Sequence, residues 1–326
     1  MKLATVGTSF ITDVFINALK AEGSFELNAV YSRTIEQGQQ FADKHGVKKV
    51  ITDWQTLLDD PEIEVVYIAS PNDLHYSQSK QVLLAHKHVI CEKPFVANHK
   101  EYVDLIQTVK QTNFFCFDAI TVLHLPNLQV LKDHLNQIGN VKLMTSAMTQ
   151  YSSRYDLLLK GQTPNIFDPN HAGGALMDLG VYPLSLCVAL FKEPTDIVYH
   201  ANCHSNGIDL SGSLTLIYPQ MIATFIIGKD CAGTNFTSIS GEKGSLFIPM
   251  HPSRFTEVQL KIGQNTQQIG IEAHPDAMVH EIKDFAHILQ FQDWDRYWED
   301  MAVTEIVVKL MEKARLQIGL RFSSDQ

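Results

Sequence analysis

The chain has 326 residues, 45% of them apolar and 19% charged, with 36 acidic against 26 basic side chains and a net charge of −10. That length exceeds what one hydrophobic core usually serves and predicts two domains. The acidic balance, without any basic block, argues against nucleic acid and anionic membrane as partners.

Five cysteines, Cys91, Cys116, Cys187, Cys203 and Cys231, are odd in number and scattered, so they form neither a disulfide framework nor a zinc spacing. The 14 histidines show no metal-ligand spacing either, and no metal is expected. With no leader-type cleavage pattern after Met1 and no run that reads as the ~18 apolar residues of a membrane span, the expected location is cytoplasmic.

Short apolar strands and helical patterns alternate up to residue 120: strand 2–6, helix 14–21, strand 25–31, helix 34–45, strand 65–68, helix 74–86, strand 88–91, helix 100–112 and strand 114–117. Such alternation predicts a parallel sheet wrapped by helices. The first turn reads Gly7-Thr8-Ser9-Phe10-Ile11-Thr12. Of the three glycines in a dinucleotide fingerprint only the first is present, and Ser9 and Thr12 stand where the others would be. Backbone N–H groups at the helix start still suit a phosphate, and the hydroxyls add donors.

The second strand ends in Ser32-Arg33, with no acidic residue for a ribose 2′-hydroxyl. A hydroxyl beside a guanidinium suits a 2′-phosphate, so NADP is the expected cofactor, with NAD as the alternative. The next strand runs into Ser70-Pro71-Asn72-Asp73-Leu74-His75, where Asn72 or Asp73 is expected to cap the following helix at the carboxyl edge of the sheet. Glu92-Lys93-Pro94 follows another strand, and the proline aims Lys93 where ligands of open α/β sheets collect.

Beyond residue 140 longer strands predominate: 141–151, 196–204, 208–218, 221–228, 235–240 and 255–262, with turns at Tyr218-Pro219-Gln220 and Gly241-Glu242-Lys243-Gly244. They predict a large, mostly antiparallel sheet, covered on one face by helices at 171–190, 280–290 and 300–318. The other face then needs a partner surface, which points to a homodimer or homotetramer. The domains are expected at 1–120 and 121–326, with the last helix free to pack back on the first. Within Gly173-Gly174-Ala175-Leu176-Met177-Asp178-Leu179-Gly180-Val181-Tyr182, Asp178 and Tyr182 stand four apart on one helical face. His124, Arg154, Asn165 and His171 lie near these segments without an assignable role.

The order of the Gly7 turn, Ser70-Pro71-Asn72-x-x-His75, Glu92-Lys93-Pro94 and Gly173-Gly174-x-Leu176-x-Asp178-x-Gly180-x-Tyr182 resembles the Gfo/Idh/MocA family of nicotinamide-dependent oxidoreductases, across nearly the whole chain. The resemblance implies a Rossmann domain followed by an α+β domain with an open sheet. It also implies oxidation of alcohols, often sugars or polyols, with the cofactor near Gly7, Thr8, Ser9, Phe10, Ile11, Ser32, Arg33, Ser70, Pro71, Asn72, His75, Glu92 and Lys93. Where many members have histidine in the last motif this chain has Tyr182, which resembles the branch of dimeric dihydrodiol, xylose and glucose-fructose oxidoreductases in which lysine and tyrosine act together. Asp118-Ala119-Ile120 fits that branch, whereas Leu123 replaces the arginine expected there.

In that scheme Tyr182 takes the hydroxyl proton while hydride leaves carbon, Lys93 tunes the phenol, and Asp178 orients substrate or lysine. An ammonium ~4 Å away at an effective dielectric of about 20 favours phenolate by roughly 4 kcal/mol, about three pKa units. Two other readings keep the fold: a non-catalytic NADP-binding regulator, which needs neither Lys93 nor Tyr182, and a glycosidase that uses NAD transiently.

Overall fold

The computed structural model describes residues 1–325 and separates into two compact units, each described by itself. The first comprises Met1–Ala119 and Met278–Met301; the second comprises Ile120–Ala277 and the chain from Ala302 onward.

In the first unit β1 (Lys2–Val6), β2 (Glu26–Tyr31), β3 (Lys49–Ile51), β4 (Val65–Ile68), β5 (His88–Glu92) and β6 (Cys116–Ala119) form one sheet in the order β3-β2-β1-β4-β5-β6. Every pairing is parallel. The four residues of β4 are all buried, as expected of a strand covered on both faces. Helices α1 (Phe10–Glu22), α2 (Ile35–His45), α3 (Trp54–Asp59), α4 (Asn72–Leu84) and α5 (His99–Thr112) make the crossovers. Their ends follow local chemistry. Asn98 caps α5 by accepting the Glu101 N–H at 2.9 Å, Glu101 reaches back to the Ala97 N–H, and Asn113 ends the helix in the left-handed region. The strand order turns outward from β1 in one direction and from β4 in the other. That reversal opens a crevice at the carboxyl ends of β1 and β4.

Three differences from the sequence-based expectation concern this unit. The strand β3 and helix α3 were missed, because three residues of strand and six of helix carry too little periodicity to read. Helix α4 starts from Pro71 and not from a capping Asn72 or Asp73, since a fixed φ of −55° and no N–H suit proline to that position. Finally, α9 (Ala277–Phe291) and the opening of α10 (Trp294–Gln317) join this unit, although 121–326 was expected to hold together up to the last helix. Their aromatic side chains account for this. Trp294 stacks on Phe115 and Phe285 on Phe117, with ring centroids 3.9 and 4.6 Å apart, and the Tyr297 hydroxyl donates to the Cys116 carbonyl at 3.0 Å.

The second unit is built on β7 (Val141–Thr149), β8 (Asp196–Cys203), β9 (Asp209–Ile217), β10 (Ile222–Gly228), β11 (Phe236–Gly241), β12 (Gly244–Ile248), β13 (Gln259–Ile262) and β14 (Asn265–Gln268). They run in the order β14-β13-β12-β11-β7-β10-β9-β8. The central β7–β10 pair is parallel and the other pairings are antiparallel. The expected turns at 218–220 and 241–244 join β9 to β10 and β11 to β12, while β12 and β14 were not foreseen. Besides α6 (Pro126–His134) and α7 (Tyr155–Leu159), this unit holds a five-residue π turn, Leu176–Gly180, which leads into α8 (Val181–Phe191).

The helical segment Pro169–Phe191 is long and apolar enough by composition to cross a membrane, contrary to the expectation that no run qualifies. Its residues are the core of this unit: between Ala172 and Ala189 all but two are buried. The π turn packs on β7, β9 and β10.

Candidate functional site

At the crevice of the first unit Gly7 has a φ of +107°, and a Cβ there would stand 2.7 Å from the Ala69 carbonyl just beyond β4. No side chain fits so close to backbone, so the glycine is required by the approach of two strand ends. Ser9 precedes α1 in extended conformation, its hydroxyl 3.4 Å from that of Thr12. Thr12 is fully buried, filling the space that a third glycine would leave for helix and strand. Thr8, Ser9 and Ile11 are half-buried around this turn and Phe10 projects into solvent, 79% exposed.

At the end of β2, Ser32 is buried against Gly38 and its N–H donates to the Ile51 carbonyl at 3.0 Å, while Arg33 is exposed. At the end of β4 the Ser70 hydroxyl donates to Gln78 at 2.7 Å, and Pro71 and Asn72 are half-buried. His75, expected near cofactor, lies inside the unit. Its Nδ1 is 2.9 Å from the Pro94 carbonyl and its Nε2 is 3.0 Å from the Ser70 carbonyl. Burial pushes its pKa down, so one N–H serves one carbonyl at a time. The imidazole thereby links the strand end at Ser70 to the turn after Lys93.

Glu92 also faces inward. It is buried and accepts the Tyr67 hydroxyl at 2.7 Å, and Tyr67 in turn stacks on Phe15 at 3.6 Å. Burial first, and Glu92 second, hold the Tyr67 phenol far above its usual range, so it stays a neutral donor. Lys93 breaks this pattern: from Val89 to Asn98 every other residue is buried and Lys93 alone keeps partial exposure. The Lys93–Pro94 bond is cis.

The second unit repeats that arrangement. Asp178 and Tyr182 are the two residues between Ala172 and Ala189 that are not buried. Asp178 belongs to the π turn, a local widening often found at functional positions. The paired glycines before it have separate reasons. A Cβ on Gly173 would meet the Ile166 carbonyl at 2.5 Å, and one on Gly174, whose φ is +111°, would overlap the Asp209 carboxylate. Asp209 is fully buried and accepts the Leu176 N–H at 2.7 Å and the Tyr199 hydroxyl at 2.6 Å. It therefore caps the helix that carries Asp178 and Tyr182 from a neighbouring strand.

Two residues of this unit were not singled out from the sequence. Besides Asp209, Lys229 at the end of β10 is buried and its ammonium donates to the Asp178 carboxylate. Of the residues left without a role, His124 is buried, Arg154 and Asn165 are exposed, and His171 is half-buried. Leu123, where arginine was expected, is buried. Among the described residues no group of three His, Cys, Asp or Glu stands where it could hold a metal ion.

The model of the oxidoreductase family with an NAD-binding Rossmann fold (GFO_IDH_MocA) matches residues 1–118, and that of the GFO/IDH/MocA C-terminal domain matches residues 134–247. The chain belongs to the Gfo/Idh/MocA family. As a member it is an oxidoreductase of the NAD(P)-dependent kind. Among Gfo/Idh/MocA relatives it is 34% identical to scyllo-inositol 2-dehydrogenase (NADP(+)) IolU of Bacillus subtilis (strain 168), over 100% of this chain and 99% of that one. It is 25% identical to trans-1,2-dihydrobenzene-1,2-diol dehydrogenase of Mus musculus, over 100% and 99% of the two chains. In fold it resembles the crystal structure of KijD10, a 3-ketoreductase from Actinomadura kijaniata in complex with NADP and TDP-benzene, with a TM-score of 0.84 at 22% identity over 99% and 98% of the two chains.

Proposed function

We propose that the protein transfers hydride between NADP and a secondary alcohol or carbonyl of a sugar, polyol or cyclic diol, with Tyr182 as the acid–base group and Lys93 as its cationic partner. The observation that carries this reading is selective exposure. In two otherwise buried segments, Val89–Asn98 and Ala172–Ala189, the side chains left partly open are Lys93, Asp178 and Tyr182. Holding a polar group partly stripped of water among buried neighbours costs stability, a cost that a reactive residue bears because it must stay reachable by substrate.

The proton and hydride take separate routes. Oxidation removes the hydroxyl proton to the Tyr182 oxygen as hydride leaves the same carbon; in reduction the phenol returns the proton. Lys93 stabilises negative charge on the phenol oxygen or developing alkoxide, so it matters more in the transition state than in the bound substrate. NADP supplies the hydride acceptor when bound. Gly7 and the residues after it would hold its pyrophosphate at the start of α1, and Arg33 its 2′-phosphate. The similarity to an NADP-dependent inositol dehydrogenase supports both the substrate class and this cofactor preference.

The test is steady-state turnover on a panel of inositols, pentoses, hexoses and trans-diols, read at the nicotinamide absorbance band. Tyr182→Phe is expected to lower kcat by about a hundredfold or more with little change in NADP affinity, and Lys93→Met to behave similarly. Normal turnover by Tyr182→Phe sinks the acid–base assignment. We further propose an intracellular homodimer formed through the open face of the second sheet, where Leu143, Ile217, Ile222 and Ile226 are exposed.

A further inference from the structure

Lys229 stands out because its charge has almost no access to water. Its side chain is 7% exposed, against 22% for the Asp178 carboxylate to which it donates, so the ammonium acts on its surroundings mainly through Asp178. Both partners are held by backbone. The Lys229 N–H donates to the Leu210 carbonyl and the Lys229 carbonyl accepts the Ser152 N–H, each at 2.8 Å, so the end of β10 is tied on both sides. Asp178 lies in the π turn, with the Leu176 N–H before it fixed by Asp209.

A pair that served only to join helix to strand would be replaced without loss by apolar side chains of similar volume, because removing two charges from water costs as much as their attraction returns. Here one member is nearly sealed off, and the other opens beside Tyr182. Ion pairs built this way fix the position of the exposed partner.

We propose that Lys229 is a positioning residue for the reaction: it fixes the Asp178 carboxylate beside Tyr182 so that this carboxylate accepts a hydrogen bond from a second hydroxyl of a polyol. This rests on the reading of Tyr182 and Asp178 given above. The preferred substrates are therefore polyols with a hydroxyl next to the reacting carbon, and Lys229 governs how well that neighbouring hydroxyl is held.

The test is a double-mutant cycle on the purified full-length enzyme at saturating NADP, using whichever panel polyol the wild type turns over best. Lys229→Met is expected to raise KM for the polyol and to lower kcat/KM about ten- to a hundredfold, with KM for NADP unchanged. Lys229→Arg, which keeps the cation, restores most of the loss. In an Asp178→Asn background Lys229→Met adds less than about a threefold further loss, since the group it positions is already gone.

A full additional loss in that background, wild-type kinetics for Lys229→Met, or a fall in melting temperature equal in both backgrounds overturns the proposal, as does an Asp178→Asn enzyme with wild-type kinetics. The reading of Tyr182 fails separately: turnover retained in Tyr182→Phe while the Lys229–Asp178 coupling persists removes the acid–base assignment and leaves the positioning role standing. A wild type inert on the whole panel removes both.

Discussion

His88 opens β5 with its Nδ1 accepting the Phe115 N–H at 3.0 Å, a bond that needs that nitrogen unprotonated, and its ring packs against Phe114 and Phe115. Burial is the main cause of a pKa lowered to about 4. Unfolded, the same imidazole titrates near ~6.5. Between those values the unfolded chain binds a proton that the folded chain refuses, so this contribution to stability is complete above about pH 6.5 and is lost as the pH falls toward 4, amounting to at most roughly 3 kcal/mol. Urea unfolding at pH 7 and pH 4.5 is expected to show a smaller pH dependence in His88→Gln than in the wild type. Arg33 offers a second test at this scale. It is exposed after β2 with no carboxylate at the strand end, so Arg33→Ala is expected to weaken NADPH binding about tenfold and leave NADH binding nearly unchanged, by fluorescence titration. Arg33, Lys93, Asp178 and Tyr182, on which the proposed function rests, could be singled out in the sequence because the motifs that point to them are made of near neighbours. Lys229 could not be, because its partner is 51 positions away and a lysine after Gly228 reads as a turn charge.

At the scale of elements, the helix carrying Asp178 and Tyr182 is set by a glycine and a buried carboxylate from two different places in the chain. Gly174→Ala would have to adopt a φ of +111° and displace Asp209, which holds the Leu176 N–H. A loss of roughly 2 kcal/mol or more in denaturant unfolding is expected, with kcat falling beyond what the stability change explains. An alanine enzyme as stable and as active as the wild type would contradict this view of the paired glycines. A strand with alternating burial, such as β10, was readable from period two. The strand β14, Asn265–Gln268, was not, because all four residues are exposed and polar and only pairing with β13 makes them a strand. The other edge strand, β8, was expected at 196–204, but not the contact that closes it: the Tyr199 N–H donates to Gln317 and the Ile197 carbonyl accepts from it, each at 2.8 Å.

For the molecule as a whole, the open face of the second sheet bears a row in which Ile222 pairs with Leu143 on one side and Ile217 on the other, and all three are exposed. Contiguous apolar area of this kind is what supports the interface between copies proposed above. Light scattering is expected to give twice the chain mass or a higher multiple, and Leu143→Asp with Ile222→Asp to give the monomer. A monomeric wild type would remove the proposal. Two domains were legible from length and texture, but not the return of Met278–Met301 to the first unit. That return follows from aromatic contacts between Phe115, Phe117, Phe285 and Trp294, which join distant parts of the chain. It also constrains biosynthesis. A ribosome that has finished β6 has made every strand of the dinucleotide-type sheet, yet the aromatic cover and the Tyr297 hydroxyl that takes up the outward Cys116 carbonyl emerge only after the last strand of the second sheet. The nascent chain must therefore carry that sheet with one flank bare while the whole of the second sheet is being made, and a gene cut after Ala119 is expected to yield an aggregating product.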